Sequence, residues 1–336
     1  MKLRRYLIGK SLWYLGALFA ALLLNFFLPR LIPGNPVDAI IARVGRGGGL
    51  QSEQAKAIQE QYVHQFGLDQ SVVQQFFTYL GNLVHGNFGP SFSNYPANVG
   101  DLVWSALPWT VALQLPAILI GWIVGNALGA VAAYRGGWFD RSAFLGSLFT
   151  SSIPYYCLAI VLLYGFAVEL PIFPTSGSYA AGVIPTVNLG FFLMVLHYYW
   201  LPFLSLVLIF IGGQAVGMRS MAIYELSSDY VAYGRGLGLP HRRLIRYIFR
   251  NAMLPQVTGL ALSIGALVGG ALITEIVFSY QGIGTLLFNA ISSNDYPVIQ
   301  AITLIIAVAV LLANFMVEIA YGFIDPRIRA AQTGEG

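Results

Sequence analysis

Reactive side chains are few in this sequence, and none stands in the pattern of a known catalytic or metal site. Gly9, Lys10 and Ser11 resemble the end of a phosphate-binding loop, but Arg4 occupies the position where that loop requires glycine. Neither His-Glu-x-x-His nor Gly-x-Ser-x-Gly occurs. The histidines are scattered along the chain, and Cys157 is the single cysteine. The sequence therefore predicts no catalytic site, no nucleotide or other cofactor site and no metal site.

Polar side chains within long apolar segments are the second kind of candidate. Such groups are costly to place in a membrane, so they are commonly functional. Glu275 lies near the end of one apolar run, where it could form a structural hydrogen bond or part of a gate. The uncharged candidates could line a solute path or hold helices together, and both roles stay open for Gln114, Asn126, Gln214, Gln256 and Ser263.

The composition places these groups in a membrane protein. The 336 residues are 57% hydrophobic and 10% charged, whereas a soluble domain carries about 25% charged residues. Uncharged runs separate Lys10 from Arg30 and occupy 102–134, 142–168, 170–218, 251–274 and 296–317. These lengths suit the roughly 30 Å hydrocarbon layer of a bilayer. The net charge of +4 comes from short basic loops, which indicates membrane orientation and excludes nucleic-acid binding.

The positions of the basic residues predict the topology. Arg135 and Arg141 mark one inner loop, and the arginines from 219 to 250 mark the next, so two crossings separate them. We interpret 170–198 as an outer loop because it is rich in Pro, Gly and Ser. An all-α polytopic fold results, with six transmembrane helices near 8–29, 105–133, 142–167, 200–221, 254–276 and 298–322. Both termini are predicted to be cytoplasmic. A cleaved signal peptide is disfavoured because the first apolar stretch is too long.

The same reasoning divides the chain into parts. An N-terminal tail and helix 1 occupy 1–30. An extracytoplasmic subdomain follows over 31–103, and an amphipathic helix is predicted within 52–84. Residues 104–323 form the core of helices 2–6, with a cytoplasmic loop over 222–254, and 324–336 form a cytoplasmic tail.

The cytoplasmic loop is the most informative segment. Asp229 can cap a short helix, Gly238 can adopt the left-handed conformation that ends it, and Pro240 can begin the next helix. Basic residues then lead to Pro255. A loop that only fixes orientation needs the charges but no helical hairpin. The pattern therefore favours a functional elbow.

Several short motifs, in this loop and along the rest of the chain, follow one another in a distinctive order. In the loop they are Asp229-Tyr230-Val231, Gly238 and the run from Arg250 to Pro255. Elsewhere they are Pro33-Gly34-Asn35-Pro36, Gly67-Leu68-Asp69-Gln70, Gly86-Asn87-Phe88-Gly89-Pro90-Ser91, Leu107-Pro108-Trp109-Thr110, Gln281-Gly282-Ile283-Gly284, Asp295-Tyr296-Pro297-Val298 and Ile324-Asp325-Pro326-Arg327. Together they resemble the inner-membrane permeases of ATP-binding-cassette importers, specifically the dipeptide/oligopeptide family. The resemblance covers almost the whole chain.

The resemblance implies a type I importer permease fold and a transport subunit that is not an enzyme. It implies four partners besides membrane lipid: a second homologous permease, two cytoplasmic ATPases that bind ATP and Mg, and an extracytoplasmic solute-binding protein. In that family the loop after helix 4 docks into the ATPase. Carried over to this sequence, the coupling role falls on Asp229, Tyr230, Val231, Gly234, Arg235, Gly238, Arg242 and Arg243.

One departure from the family concerns the short helix. Relatives carry Ala-Arg-Ala-Lys before the elbow glycine, whereas this sequence has Gly234-Arg235-Gly236-Leu237. Each glycine in place of alanine costs about 1 kcal/mol in a helix interior. A weaker short helix is therefore predicted.

The resemblance leaves the solute open. The family handles peptides, nickel complexes and, in some members, oligosaccharides. Nickel is disfavoured because no histidine or acid lies in the middle of a predicted span. We favour peptides, with oligosaccharides as the alternative. A stand-alone secondary transporter is the alternative from another class, and it predicts transport without ATPases. No internal repeat supports it.

Overall fold

The computed structural model describes residues 2–27, 69–265, 267 and 271–324. Residues 28–30 at the end of the predicted helix 1 segment, 31–68 of the predicted outer subdomain and 325–336 of the predicted tail lie outside the described residues. Helices joined by loops make up the described chain: α1 (Lys2–Phe27), α2 (Val72–Val84), α3 (Val99–Arg135), α4 (Gly137–Ser152), α5 (Tyr155–Leu163, continued by a π-helical turn over Tyr164–Glu169), α6 (Leu189–Leu226), α7 (Asp229–Gly236), α8 (His241–Gly265), α9 (Leu272–Val277), α10 (Ile283–Ser292) and α11 (Tyr296–Ile324).

The membrane spans agree with the sequence prediction in part. Among the described residues, α1, α3, α6 and α11 are each long and apolar enough to cross a bilayer. They contain predicted helices 2, 4 and 6 and, up to Phe27, predicted helix 1. A fifth span results if α4, α5 and the π-helical turn that continues α5 are counted as one bent span. Predicted helix 5 (254–276) includes residues 266 and 268–270, which lie outside the described residues; on either side of them the structure describes α8 up to Gly265 and α9 from Leu272. Length and composition thus give four or five spans.

Predicted helix 3 is bent by 91° rather than straight. The break falls at Ile153 and Pro154, and Ile153 has an extended backbone (φ −83°, ψ 129°). Proline disfavours helical backbone in the residue before it and cannot donate a backbone hydrogen bond. A single helix over 142–167 was therefore the wrong prediction, and Pro154 is the reason.

Helix α6 begins earlier than the sequence indicated. The Asn188 side chain caps it by accepting a hydrogen bond from the backbone N–H of Phe191 at 2.7 Å. The predicted outer loop over 170–198 therefore ends at Asn188. With 38 residues, α6 is about 57 Å long at 1.5 Å per residue, so it extends beyond a hydrocarbon layer of roughly 30 Å.

The described chain separates into two compact units. The described residues before Trp109, together with Gly282–Phe315, belong to the first, and Trp109–Gln281 belongs to the second. In the first unit Asn25 of α1 joins two neighbouring helices. Its amide nitrogen donates to the hydroxyl oxygen of Tyr79 on α2 at 3.0 Å and to the carbonyl of Gln300 on α11 at 2.8 Å.

A buried carboxyl group fixes the loop between α2 and α3. Asp295 is fully buried and immediately precedes α11. It accepts hydrogen bonds from the Ser91 hydroxyl, from the Phe92 and Ser93 backbone N–H groups at 3.1 and 2.9 Å, and from the Ser93 hydroxyl at 2.6 Å. The backbone N–H of Val298 adds a longer contact of 3.5 Å at the start of α11. One side chain thus caps a helix and anchors a loop.

Replacing Asp295 by asparagine is expected to loosen this loop. All the hydrogen-bond partners of Asp295 are donors. The asparagine side chain has only one acceptor oxygen, and its NH₂ group would face donors that it cannot pair with. Each hydrogen bond to a charged group is worth about 1.5–3 kcal/mol. We expect a lower thermal midpoint for the purified protein and faster proteolysis within 86–98. Asp101→Asn is the control, because Asp101 is exposed in the first turn of α3. Equal midpoints for the two variants would contradict the anchoring role.

In the second unit, α3 and α6 pack along a seam of glycines spaced four residues apart. Gly121, Gly125 and Gly129 of α3 lie directly against the α6 backbone. A Cβ atom at Gly125 would lie 2.6 Å from both the Ile211 carbonyl oxygen and the Gln214 Cβ atom. Small residues at this spacing let membrane helices approach closely. Although the spacing is visible in the sequence, our sequence analysis did not use it.

Candidate functional site

The helical hairpin predicted in the cytoplasmic loop is present as α7, a short turn and the start of α8. Helix α7 has eight residues. Its N-cap residue is Ser228 and not Asp229, which is the first helical residue. The Ser228 side chain makes no capping hydrogen bond to α7, and its hydroxyl donates instead to the backbone carbonyl oxygen of Glu225 at 2.6 Å. The predicted capping position is thus off by one residue. Asp229 in the first turn and Arg235 in the last turn complement the helix dipole.

The turn between the two helices has the predicted left-handed glycine. Gly238 has φ +71°, and its backbone N–H donates to the Arg235 carbonyl at 3.0 Å. The backbone N–H of Leu239 donates to the Gly234 carbonyl at 3.1 Å. A Cβ atom at Gly238 would meet no atom within 4 Å, so the constraint on that atom is the backbone conformation. Pro240 precedes α8, which begins at His241.

Packing between α7 and α8 sets the angle of the hairpin. Val231 and Gly234 lie one turn apart on α7 and are both buried. A Cβ atom at Gly234 would lie 2.7 Å from Cδ2 of Leu244, a buried residue of α8, and 3.2 Å from Cδ1 of Leu239. Gly234 is therefore a close-contact position. At Gly236 the same addition meets nothing within 4 Å.

Hydrogen bonds connect the hairpin to α6. The Tyr230 hydroxyl donates to Glu225 Oε2 at 2.6 Å, and the Asn251 amide nitrogen reaches the same oxygen at 3.5 Å. Partial burial, followed by the hydrogen bond to Glu225, raises the pKa of Tyr230 above its ordinary value. Residues from α6, α7 and α8 thus meet at one carboxyl group. The sequence analysis did not single out Glu225.

The outward face of the hairpin combines aromatic, aliphatic and basic groups. Tyr233 is 72% exposed and Leu237 is 62% exposed. Arg235, Arg242 and Arg243 are also exposed. Large apolar side chains within a basic rim are typical of a protein-binding surface. Unlike the arginines, Tyr233 and Leu237 were missed, although two large apolar residues in a polar hairpin are a sequence signal.

An ion pair lies at the same end of α6. Arg219 donates to both carboxylate oxygens of Asp140 at 2.6 Å, and its guanidinium lies 4.4 Å from the ring centre of Phe144. Two-point contact of this kind fixes orientation as well as distance. It ties α6 to the first turn of α4, and nothing in the sequence spacing predicted it.

Three of the predicted path residues lie around Trp122 of α3. The indole N–H donates to the backbone carbonyl oxygen of Gln256 in α8 at 2.9 Å, and the Asn126 amide nitrogen donates to the backbone carbonyl oxygen of Trp122 at 2.7 Å. The same nitrogen approaches Gln214 Oε1 of α6 at 3.4 Å. This arrangement, the polar layer, joins Asn126, Gln214 and Gln256.

The other predicted path residues lie apart from the polar layer. Glu275 is completely buried and accepts a hydrogen bond from the Thr110 hydroxyl at 2.7 Å. Gln114 lies one turn from Thr110 on α3, and its buried Nε2 has no hydrogen-bond partner in the described part of the chain. The Ser263 hydroxyl donates to the Gly259 carbonyl of its own helix at 2.8 Å. For Glu275, burial and the hydrogen bond from Thr110 fit the alternative in which polar groups hold helices together.

These features describe helices of membrane length and a basic hairpin with exposed apolar and arginine side chains. Within the described residues, no group of three or more His, Cys, Asp or Glu could hold a metal ion. Residues 125–330 match the family described as the binding-protein-dependent transport system inner membrane component. The chain belongs to this family. It is a multi-pass inner-membrane protein and a component of a transport system rather than an enzyme.

Similarity to relatives extends over nearly the whole chain. The chain is 34% identical to a di/tripeptide transport system permease protein of Pseudomonas aeruginosa over 93% of this chain and 94% of the relative. It is 29% identical to an oligopeptide transport system permease protein of Bacillus subtilis, with 96% and 98% covered. It is 32% identical to a glutathione transport system permease protein of Escherichia coli K12, again with 96% and 98% covered. The family resemblance inferred from the sequence motifs is confirmed.

Within this family member, the predicted coupling residues fall into two groups. Asp229, Tyr230, Arg235, Gly238, Arg242 and Arg243 are exposed, so a partner can reach them. Val231 and Gly234 are buried, so they pack within the hairpin. Sequence reasoning located the segment but did not separate these two kinds of residue.

Proposed function

We propose that this chain forms half of the translocation path of an ATP-driven importer for peptides. The observation that carries the proposal is similarity over almost the full chain to permeases named for di- and tripeptides, oligopeptides and glutathione. All three names describe peptide solutes, and the oligosaccharide alternative has no such support. A stand-alone secondary transporter is not favoured, because the family works with a binding protein.

The partners proposed are a second homologous permease, two cytoplasmic ATPases and an extracytoplasmic binding protein. ATP and Mg would bind to the ATPases. The hairpin residues 229–243 would dock into one ATPase, with Tyr233 and Leu237 as apolar anchors and the arginines as a charged rim.

Movement of the ATPase would reach the membrane through two connections. The first is the packing of α7 on α8 at Gly234 and Leu244. The second is Glu225, which is hydrogen-bonded to Tyr230 and belongs to α6. Because both connections lead into membrane helices, a displaced hairpin would tilt α6 and α8. That is the motion needed for alternating access.

For the path itself we propose the polar layer of Asn126, Gln214 and Gln256. It joins α3, α6 and α8, and two of these helices are connected to the hairpin. A peptide carries amide groups that such side chains can bind by hydrogen bonds. Three further polar residues are also proposed to line the path, with helix packing as the alternative role: Gln114, Ser263 and Glu275.

For orientation we propose six spans with both termini in the cytoplasm and the loop before α6 outside. The positions of basic residues support this arrangement. In a Cys157→Ser background, Val187→Cys should react with an impermeant maleimide on intact cells. Arg235→Cys should react only after the cells are opened. Reaction of both positions from one side would contradict this topology.

Uptake into vesicles tests the function. The purified complex of both permeases, both ATPases and the binding protein should take up a labelled tripeptide when ATP is enclosed on the ATPase side. A labelled malto-oligosaccharide of similar mass is the matched control and should not accumulate. Uptake of the sugar instead would overturn the solute assignment, and peptide uptake without ATPases would overturn the mechanism.

A further inference from the structure

Helix α2 carries a wider apolar sector than its contacts within the protein use. At 100° per residue, Phe76, Tyr79 and Leu83 lie on one side of the helix. The Phe76 ring lies 5.1 Å from the ring of Phe26, and Tyr79 contacts Asn25 through its hydroxyl. This side therefore packs on the last turn of α1.

A second apolar stripe of α2 lies beside the side that packs on α1, and its side chains are exposed. It consists of Val73, Phe77 and Val84, which are 65%, 66% and 85% exposed. The polar residues Gln74, Thr78 and Asn82 occupy the remaining side, and no charged residue occurs from 70 to 84. An exposed stripe of this kind, without charges at its border, is unusual for a surface in water.

We propose that α2 lies flat at the outer surface of the membrane, with the stripe of Val73, Phe77 and Val84 inserted among the lipids. Continuity with α1 supports lipid as the occupant. Phe27 of α1 stacks on Phe76 with ring centres 6.3 Å apart, and Phe27 is itself half exposed at the end of a membrane span. The stripe therefore begins at the level where α1 leaves the hydrocarbon layer.

The division of α2 into three sectors fits this position. One apolar sector meets the protein, a second apolar sector meets lipid and the polar sector meets water. Interfacial helices bury an apolar face about 5–10 Å into the boundary between headgroups and acyl chains. In this position α2 would hold the outer end of α1 and the start of the loop anchored by Asp295 at a fixed depth. The inference does not depend on the solute.

Spin labels on the assembled transporter in lipid nanodiscs test the proposal. In a Cys157→Ser background, labels at Phe77→Cys and Val73→Cys should be accessible to oxygen and several-fold less accessible to a water-soluble nickel chelate. A label at Phe19→Cys in α1 gives the lipid reference, because Phe19 is exposed within a span. A label at Thr78→Cys on the polar side gives the water reference.

Two results would overturn the proposal. Nickel accessibility at Phe77→Cys equal to that at Thr78→Cys would place the stripe in water. Protection of both stripe labels from oxygen and nickel alike would show that another protein surface covers it. Since peptide uptake is measured separately, neither result would bear on the proposed transport function.

Discussion

Replacing Gly125 by valine is expected to prevent α3 and α6 from packing. The first added carbon would lie 2.6 Å from a backbone oxygen of α6, which no side-chain rotation can move. Overpacking of a core costs about 1–3 kcal/mol. At a contact between two backbones we expect the upper part of that range. The recovered amount of folded protein and its thermal midpoint should both fall, and uptake should fall with them.

A matched glycine separates close packing from helix propensity. Gly213 lies in α6, and a Cβ atom there would meet nothing within 4 Å. Gly213→Val therefore changes the same residue type in a membrane helix without forcing two backbones apart. We expect near-normal recovery and uptake for this variant. Equal losses of folded protein and uptake for Gly125→Val and Gly213→Val would contradict the close-packing role of Gly125.

Replacing Gly238 by valine is expected to reduce uptake by about tenfold or more. Residues other than glycine pay about 1–2 kcal/mol in the left-handed conformation that Gly238 adopts, and 1.4 kcal/mol corresponds to a tenfold change in population. The strain would move α7 away from its docking angle while the membrane helices stay intact. Uptake in vesicles and recovery of the folded complex are the two measurements.

Two control variants isolate the backbone of the elbow. Gly236→Ala adds a methyl group in open space within α7 and should raise helix stability by about 1 kcal/mol without loss of uptake. Gly238→Asn should retain more uptake than Gly238→Val, because asparagine tolerates the left-handed conformation. Loss of uptake in Gly236→Ala would contradict the distinction between the two glycines.

Much of the architecture was predictable from local patterns. Apolar run length placed α1, α3, α6 and α11, and the glycine and proline at 238 and 240 placed the elbow. These predictions succeed because each depends on residues close together in the sequence. The family assignment succeeded for a related reason, since it rested on short motifs in a fixed order.

Pairings between distant residues could not be predicted. Arg219 and Asp140 are 79 residues apart, and Thr110 and Glu275 are 165 apart. Only the packing of helices brings them together. Gly234 shows the same limit, because the sequence treats it as a weak helix residue, whereas its contact with Leu244 makes it a packing position. The bend at Pro154 was accessible in principle, since proline disfavours a helical residue before it.

In the proposed transporter, the hairpin of α7 and α8 docks into the ATPase. A photoreactive benzophenone amino acid at Tyr233 tests it directly, since this side chain is exposed on the outward face. In the assembled transporter, irradiation should join the permease to an ATPase subunit. The same group at Val187, which is also exposed, should give no such product. Absence of the ATPase product from position 233, in a complex that still takes up peptide, would contradict the account.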